Sequence, residues 1–257
     1  CVSLFQMKNI ILIGSGNVAT HLGIALQNCN YKIVQVYSRD IENAKRLAQK
    51  LNTNFTNDLT QLKDANLIIV SVNDDAISDV LSQLKNTAIV HTSGSIGINI
   101  FSDNFSNCGV FYPIQTFNKE VDVNISEVPF CIEGNSLHFE NQLTQIAKRI
   151  SKNVVVMDSE QRKQLHIAAV FACNFSNHMY SIADTILSKS DIEFKLLVPL
   201  INQTVSKLTD KKPGDVQTGP AKRNNKEVID SHLNNITDQT VKEIYRLISN
   251  SIIKDND

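Results

Sequence analysis

Three small residues, Gly14, Gly16 and Ala19, stand at a spacing that fits the main chain of a turn to a phosphate. Gly14 permits a tight turn. Gly16 removes a side chain where a pyrophosphate can approach backbone N–H groups, and Ala19 takes the third small position, where a helix packs closely on a strand. Ser15, Asn17 and Val18 complete this turn. A second set of polar side chains has the chemistry to act on a small molecule. His166 can give or take a proton near neutral pH. Asn174 and Ser93 can hydrogen-bond a reacting group, Thr218 and Arg223 can hold an anionic end, and Asn177 can line the substrate cleft.

The elements that must position these groups follow from pattern. Ile10 to Ile13 is continuously apolar, as in a central parallel strand covered on both faces, and Val18, Leu22, Ala25 and Leu26 give the next segment one apolar helical face. The start of that helix offers unpaired N–H groups and a partial positive charge to a phosphate. Tyr31 to Tyr37 reads as the second strand. In a dinucleotide fold its end meets the adenosine ribose, where an Asp or Glu would take the 2′-hydroxyl of NAD. Here the strand ends Tyr37-Ser38-Arg39, with no acid before Asp40. Arg39 can pair bidentately with a 2′-phosphate that an acid would repel, so the cofactor expected is NADP (NADPH). Asp40 then caps the following helix.

Strands at 67–72 and 88–91, separated by a helix over 76–84, continue the β-α alternation of a doubly wound parallel sheet. Ligands sit at the carboxyl ends of such strands. Gly14–Gly16, Val72 with Asn73, and His91–Ser95 therefore converge, with Val72 and Asn73 expected at the nicotinamide ribose. Cys108–Phe117 extends the sheet, with Pro113 expected to end ladder pairing. Two further strands, 128–133 and 153–157, flank a helix over 137–150.

From Ser159 onward the period is helical. A long helix runs to about Ser188, and its apolar positions on several sides predict a buried helix at the centre of a second domain. At about 100° per residue, Asn177 lies about 20° and Asn174 about 80° from His166, on one broad face. A helix over 191–208 is expected to kink at Pro199. Thr218-Gly-Pro-Ala221 reads as another helix start, able to hold an anion beside Arg223. Helices over 227–233 and 237–253 carry apolar faces suited to bundle packing or a dimer seam. Blander readings compete with these. The glycines can serve an ordinary βα turn, Arg39 can be a solvated residue, Ser93 can be turn chemistry, and the helix polar groups can be satisfied by neighbouring backbone.

Bulk composition narrows the classes. The chain has 257 residues, 42% of them hydrophobic, and a net charge of −1. These values suit packed domains and argue against nucleic acid or an anionic membrane as partner. The five cysteines have neither redox nor metal spacing, and no histidines pair as His-x-x-x-His, so a cytoplasmic protein without a metal site is expected. No apolar run reaches the ~20 residues of a membrane span. Met7 reads as close to the functional start, with residues 1–6 a loose extension.

Four longer stretches carry a resemblance: His91-Thr-Ser-Gly-Ser95, Tyr112-Pro-Ile-Gln-Thr-Phe117, His166-Ile-Ala-Ala-Val-Phe171 with Asn174-Phe175 and Asn177-His178, and Gln217-Thr-Gly-Pro-Ala221 with Arg223. From Met7 onward the chain resembles a bacterial family labelled NADP oxidoreductases, with a Rossmann N-terminal domain and a helical C-terminal domain of unknown function. More distantly it is similar to pyrroline-5-carboxylate reductase and to the 3-hydroxyisobutyrate and 6-phosphogluconate dehydrogenases. The resemblance implies NADP chemistry at a cleft between domains, and dimers. The catalytic Lys of the hydroxyacid dehydrogenases, one turn before a helix Asn, is replaced by Val170, and His166 is the nearest titratable substitute.

The expectation is an α/β protein: a doubly wound Rossmann domain over 7–158 followed by an all-α domain over 159–257. Its function reads as reduction by NADPH of a C=O or C=N bond in a small, carboxylate-bearing substrate. A non-catalytic NADP-binding sensor or partner-binding module is the alternative, because the same turn and Arg39 would serve it equally.

Overall fold

The computed structural model describes residues 7–255, so the expected extension over residues 1–6 lies outside the described residues. One mixed sheet of eight strands has the order β3-β2-β1-β4-β5-β6-β7-β8. Its organising strand is β1 (Asn9–Ile13), which pairs in parallel with β2 (Lys32–Tyr37) and β4 (Leu67–Val70). All four residues from Ile10 to Ile13 are 0% exposed. The alternation of side chains along a strand divides them between two cores. Ile10 and Leu12 pack with Leu22 and Leu26 of α1 (Asn17–Asn28) and Leu47 of α2 (Ile41–Lys50). Ile11 and Ile13 pack with Ile77, Val80 and Leu81 of α3 (Ile77–Leu81). Helices thus cover both faces, which is why the strand reads as an unbroken apolar run.

β3 (Asn54–Thr56) and β5 (Ile89–His91) continue the parallel pairing outward, and β6 (Cys108–Pro113) joins β5. β7 (Phe130–Gly134) then runs antiparallel to β6, and β8 (Val154–Val156) is parallel to β7. β6 and its paired register with β7 end at Pro113, as expected. Pro113 sits opposite Phe130, and the Ile114 N–H donates to the Pro129 carbonyl at 2.9 Å. Antiparallel bonds alternate, so the Pro113 nitrogen points away from β7. On that side β5 extends only to the partner of Val110, and no donor is needed. The antiparallel turn-back is made before α4 (Leu137–Ile150), whose start is capped by Ser136.

Helical backbone continues from Ser159 to Ser188 but is not uniform: α5 (Ser159–Ala169) gives way to a π-turn over Val170–Phe175 and then α6 (Ser176–Ser188). The even 100° spacing assumed for Asn174 and Asn177 does not hold through that turn. The chain divides into two compact units after Cys173, inside the π-turn, whereas the expected boundary preceded α5. The reason is a buried charge. Arg162, 0% exposed, forms an ion pair with Glu133 of β7 and donates to the Ile96 carbonyl at 2.6 Å, binding α5 to the sheet. Asp158 caps α5, in a capping box with Gln161.

The second unit holds α6, α7 (Val198–Ser206), α8 (Lys226–Asn235) and α9 (Gln239–Lys254). Pro199 lies in the first turn of α7 and starts that helix rather than kinking it, because its missing N–H is unpaired there anyway. Pro220 does not start a helix. Gly219 (φ +104°) and Asn224 (φ +48°) are left-handed, and residues 220–224 form turns closed by Asn225 N–H to the Pro220 carbonyl at 2.9 Å. α8 begins at Lys226 under an Asn225 cap. Of the described residues of this unit only Ala221 and Ser249 are buried, so α6 is not the covered central helix that its sequence suggested. No helix of the described residues is long and apolar enough to cross a membrane.

Candidate functional site

At the carboxyl ends of β1, β2 and β4 lies a cavity of about 350 Å³. The turn Gly14-Ser15-Gly16 forms one side, Ser38 and Arg39 another, and Val72 and Asn73 a third. The two glycines are there for different reasons. Gly14 has φ +118°, donates to the Tyr37 carbonyl at 2.8 Å, and a Cβ on it would come within 2.1 Å of the Ser71 carbonyl oxygen. The protein's own packing requires it. Gly16 has φ −79°, which any residue adopts, and nothing lies within 4 Å of an added Cβ. Neither its backbone angle nor the packing around it requires a glycine, and the approach to its backbone is open. The helix that starts there has no side-chain cap and no acid in its first turn, which leaves its N–H groups and dipole to an anion.

Asn17 and Val18 are not among the residues lining the cavity. The Asn17 side chain instead donates to the Phe117 carbonyl at 2.8 Å and accepts from Lys119 N–H at 3.2 Å, while His21 stacks on Phe117 with centroids 5.0 Å apart. These contacts tie the loop after β6 to the start of α1, just past the Gly14–Gly16 turn. Close helix-to-strand packing is shared by Ala19, which is fully buried, and Gly23, where a Cβ would meet Leu12 and Leu51 at 2.8 Å.

Arg39 is exposed beside the cavity. Asp40 follows it, but one of its oxygens accepts from Glu42 and Asn43 N–H at 2.9 and 3.2 Å, and the other accepts from the Asn43 amide at 2.9 Å. That carboxylate is spent on capping α2. Leu59, Ala76, Val80 and Gln83 line the far wall with Asp79. Sequence reasoning missed these. The helix expected after β4 was the available signal, since its first turns face the same strand ends.

The neighbouring strand ends hold a second polar cluster. Asp74, just beyond Asn73, accepts a short hydrogen bond from the Ser95 hydroxyl, which ties the loop after β4 to the loop after β5. Ser93 is buried, and its Oγ accepts from Ser95 and Ile96 N–H, each at 3.1 Å. Its hydroxyl therefore organises the turn, as the blander reading held. His91 lies fully buried below. Its Nδ1 accepts from Ser93 N–H at 3.2 Å and its ring stacks on Phe101. Burial, reinforced by the Arg162 guanidinium, pushes its pKa down to about 4, so His91 is neutral.

His166 of α5 meets Tyr112 of β6, with Nδ1 3.1 Å from the phenol oxygen and the rings edge to face at 6.0 Å. Gly94 closes the group, since a Cβ there would come within 2.7 Å of both His166 Nδ1 and Tyr112 Cζ. Burial pushes the Tyr112 phenol up to about 12, with Cys131 adding to the effect and Arg162 opposing it. The sheet unit thus brings together Ser93 and His166 and adds Tyr112, Gly94 and Asp74, which residue type alone did not single out. Asn174, Asn177, Thr218 and Arg223 belong to the helical unit, where all four are exposed. Thr218 there borders a mostly apolar cavity of about 270 Å³ with Met179 and Tyr245.

Residues 9–93 match the family model described as NADP oxidoreductase, coenzyme F420-dependent, and residues 128–252 match a domain of unknown function, DUF2520. A protein of Bacteroides fragilis described as a putative NADP oxidoreductase is 42% identical, with 98% of this chain and 100% of that chain covered and a TM-score of 0.92. A 1-pyrroline-5-carboxylate reductase from Streptococcus pyogenes shares the fold at 13% identity, over 96% of this chain and 97% of its own, with a TM-score of 0.62. Glycerol-3-phosphate dehydrogenase (NAD(P)+) of Rickettsia prowazekii is 26% identical over 201 residues, 70% of this chain. The chain spans about half the length of the curated relatives that it matches, 56% of the first and 55% of the second.

Proposed function

Since the chain belongs to the family of NADP oxidoreductases in which a dinucleotide-binding domain precedes a DUF2520 domain, we propose that it reduces a C=O or C=N bond of a small substrate with NADPH. NADP is the family's cofactor. The observation that carries the reading is Gly16: a glycine that neither backbone angle nor packing demands, at an uncapped helix start that opens on the cavity edged by Arg39. The α1 N–H groups would take the pyrophosphate, Ser38 and Arg39 the 2′-phosphate, and Val72 and Asn73 the nicotinamide ribose. When bound, the nicotinamide supplies hydride.

His166 would hydrogen-bond the heteroatom of the reacting bond and donate or orient a proton. By their chemistry, Asn174 and Asn177 are further hydrogen-bonding partners, and Thr218 and Arg223 are partners for an anionic end. The cysteines Cys29, Cys108, Cys131 and Cys173 are free, which suits a reducing compartment such as the cytoplasm. The uncovered apolar faces of the helical unit are proposed as the seam of a homodimer.

Titration with NADPH and NADH tests the cofactor site. Arg39→Ala should weaken NADPH by roughly 10–100-fold, the range of a lost charge-assisted hydrogen bond, and leave NADH nearly unchanged. Equal losses would remove Arg39 from 2′-phosphate recognition. Assays of NADPH consumption with imines, ketoacids and aldehydes test the chemistry, and His166→Ala should lower turnover at least ~100-fold. Tight binding with no consumption across the panel would leave a sensor in place of an enzyme.

A further inference from the structure

We propose that Tyr112 is a positioning residue that holds His166 as a neutral imidazole with its proton on Nε2, so that the ring presents an N–H donor to its ligand. The inference rests on geometry within the sheet unit. β6 supplies the phenol and α5 the imidazole, and their polar atoms stand 3.1 Å apart. α5 itself is held by the Arg162–Glu133 ion pair one helical turn before His166. Gly94 lies against both rings, and a single added carbon there would come within 2.7 Å of His166 Nδ1 and of Tyr112 Cζ.

A phenol and an imidazole can share one hydrogen in two directions. The Tyr112 hydroxyl makes no second side-chain hydrogen bond among the described residues, so its hydrogen is available to Nδ1. Burial keeps that hydrogen on the oxygen to about pH 12. The groups that face the phenol are Cys131 on β7, Arg162 on α5 and Asp74 beyond β4. Cys131 is itself pushed up to about 11 by burial and stays a neutral thiol. No neighbour removes the phenolic proton, so the phenol has a hydrogen to give, and in the arrangement proposed Nδ1 is the acceptor. A neutral imidazole that accepts at Nδ1 carries its hydrogen on Nε2.

This sharpens the substrate class, and here it rests on the reductase reading. A ligand atom facing Nε2–H must be an acceptor: a carbonyl oxygen or the lone pair of an unprotonated imine. A protonated iminium would set its N–H against another N–H and is selected against. The arrangement resembles other sites where a neutral imidazole polarises a carbonyl by hydrogen bonding.

The test is a long-range ¹H–¹⁵N correlation spectrum of the full chain labelled at histidine, with His166 assigned by its loss in His166→Gln. The expected wild-type pattern is a protonated Nε2 and an unprotonated, accepting Nδ1. In Tyr112→Phe the signals should move toward a mixture of the two tautomers. A wild-type His166 with its proton on Nδ1, or a pattern unchanged in Tyr112→Phe, would overturn the proposal. The wild-type spectrum decides the direction of the bond even where the variant fails to fold. The spectrum requires no cofactor, so a chain that binds no NADPH would sink the reductase reading and leave this result standing. With a turned-over carbonyl substrate, Tyr112→Phe should lower kcat roughly 3–10-fold with little change in KM.

Discussion

The sheet unit and the helical unit differ in where their apolar side chains end. In the first, Ile10 to Ile13, Leu67, Phe111, Phe130 and Phe139 are sealed between strands and helices. In the second, Leu196, Leu200 and Leu247 are 67%, 64% and 70% exposed, although all three lie on regular helical segments. A helix with an apolar stripe needs a second surface to cover it. The sheet unit provides that surface from its own chain. The helical unit leaves these faces uncovered among the described residues, which is the basis for the homodimer seam proposed above. The cavity edged by Arg39 is accordingly built on the self-sufficient half of the molecule.

The comparison is broken most directly by truncation in both halves. Phe111→Ala removes a fully buried ring and should cost about 3–5 kcal/mol in urea unfolding. Leu200→Ala should stay within about 0.5 kcal/mol in a chain whose helices stand alone. Where a second copy covers α7, the same change should cost more, and the loss should grow as protein is diluted. A concentration-independent effect of Leu200→Ala would argue against the homodimer seam at that helix.

A second break is electrostatic. Glu133→Ala strands the buried Arg162 guanidinium and should cost about 3–5 kcal/mol, with faster hydrogen exchange in α5. Joint replacement, Glu133→Leu with Arg162→Met, should recover part of the loss, because it removes the stranded charge but leaves the Ile96 carbonyl and Ser159 N–H without these partners. Unchanged exchange in α5 after Glu133→Ala would show that the ion pair does not hold this helix to the sheet.

What was legible in the sequence follows the same division. The apolar run before Gly14 and the alternation of strand and helix patterns predicted the sheet and the cavity around Arg39, because local period and burial agree there. The helical unit misled where burial was inferred from apolar content alone, since a helix can be apolar and uncovered. Pro199 and Pro220 were read for their residue type, but a proline's effect depends on whether it falls in the first turn or beyond the helix. Arg162 was invisible as a core residue because a lone arginine in a capped helix start reads as solvated. Its partner Glu133 lies on a strand far away in the chain. Tyr112 and His166 meet only after β6 and α5 are placed, so no local spacing predicted the pair.

A smaller effect comes from pH. His91 is neutral in the folded state, with a pKa of about 4 against an ordinary 6.5. Between those values the unfolded chain binds a proton that the folded chain does not. The stability that this group contributes is therefore complete above pH 6.5 and is lost as pH falls toward about 4. At about 1.36 kcal/mol per pH unit the loss is on the order of 3 kcal/mol. Arg162 deepens the shift, and Asp74 and the Gly97 backbone oppose it. His91→Asn keeps an acceptor for Ser93 N–H without titrating in this range. Its stability should fall less steeply with acid than wild type, as read by urea midpoints across this range. Parallel acid limbs would place the acid sensitivity elsewhere in the sheet unit.

The smallest effect separates capping from cofactor reading within one residue pair. Asp40 is the only acid where β2 hands over to α2, and both of its oxygens are engaged by Glu42 and Asn43. Asp40→Ala should lower stability by about 1 kcal/mol, the usual worth of a side-chain cap. Because the carboxylate is turned into the helix, the ratio of NADPH to NADH affinity should stay within about twofold of wild type, less than half a kcal/mol. Loss of NADH affinity alone would mean that Asp40 leaves its cap to take a ribose hydroxyl. The preference for the phosphorylated coenzyme would then come from competition between two adjacent side chains, not from Arg39 acting with no opposing acid.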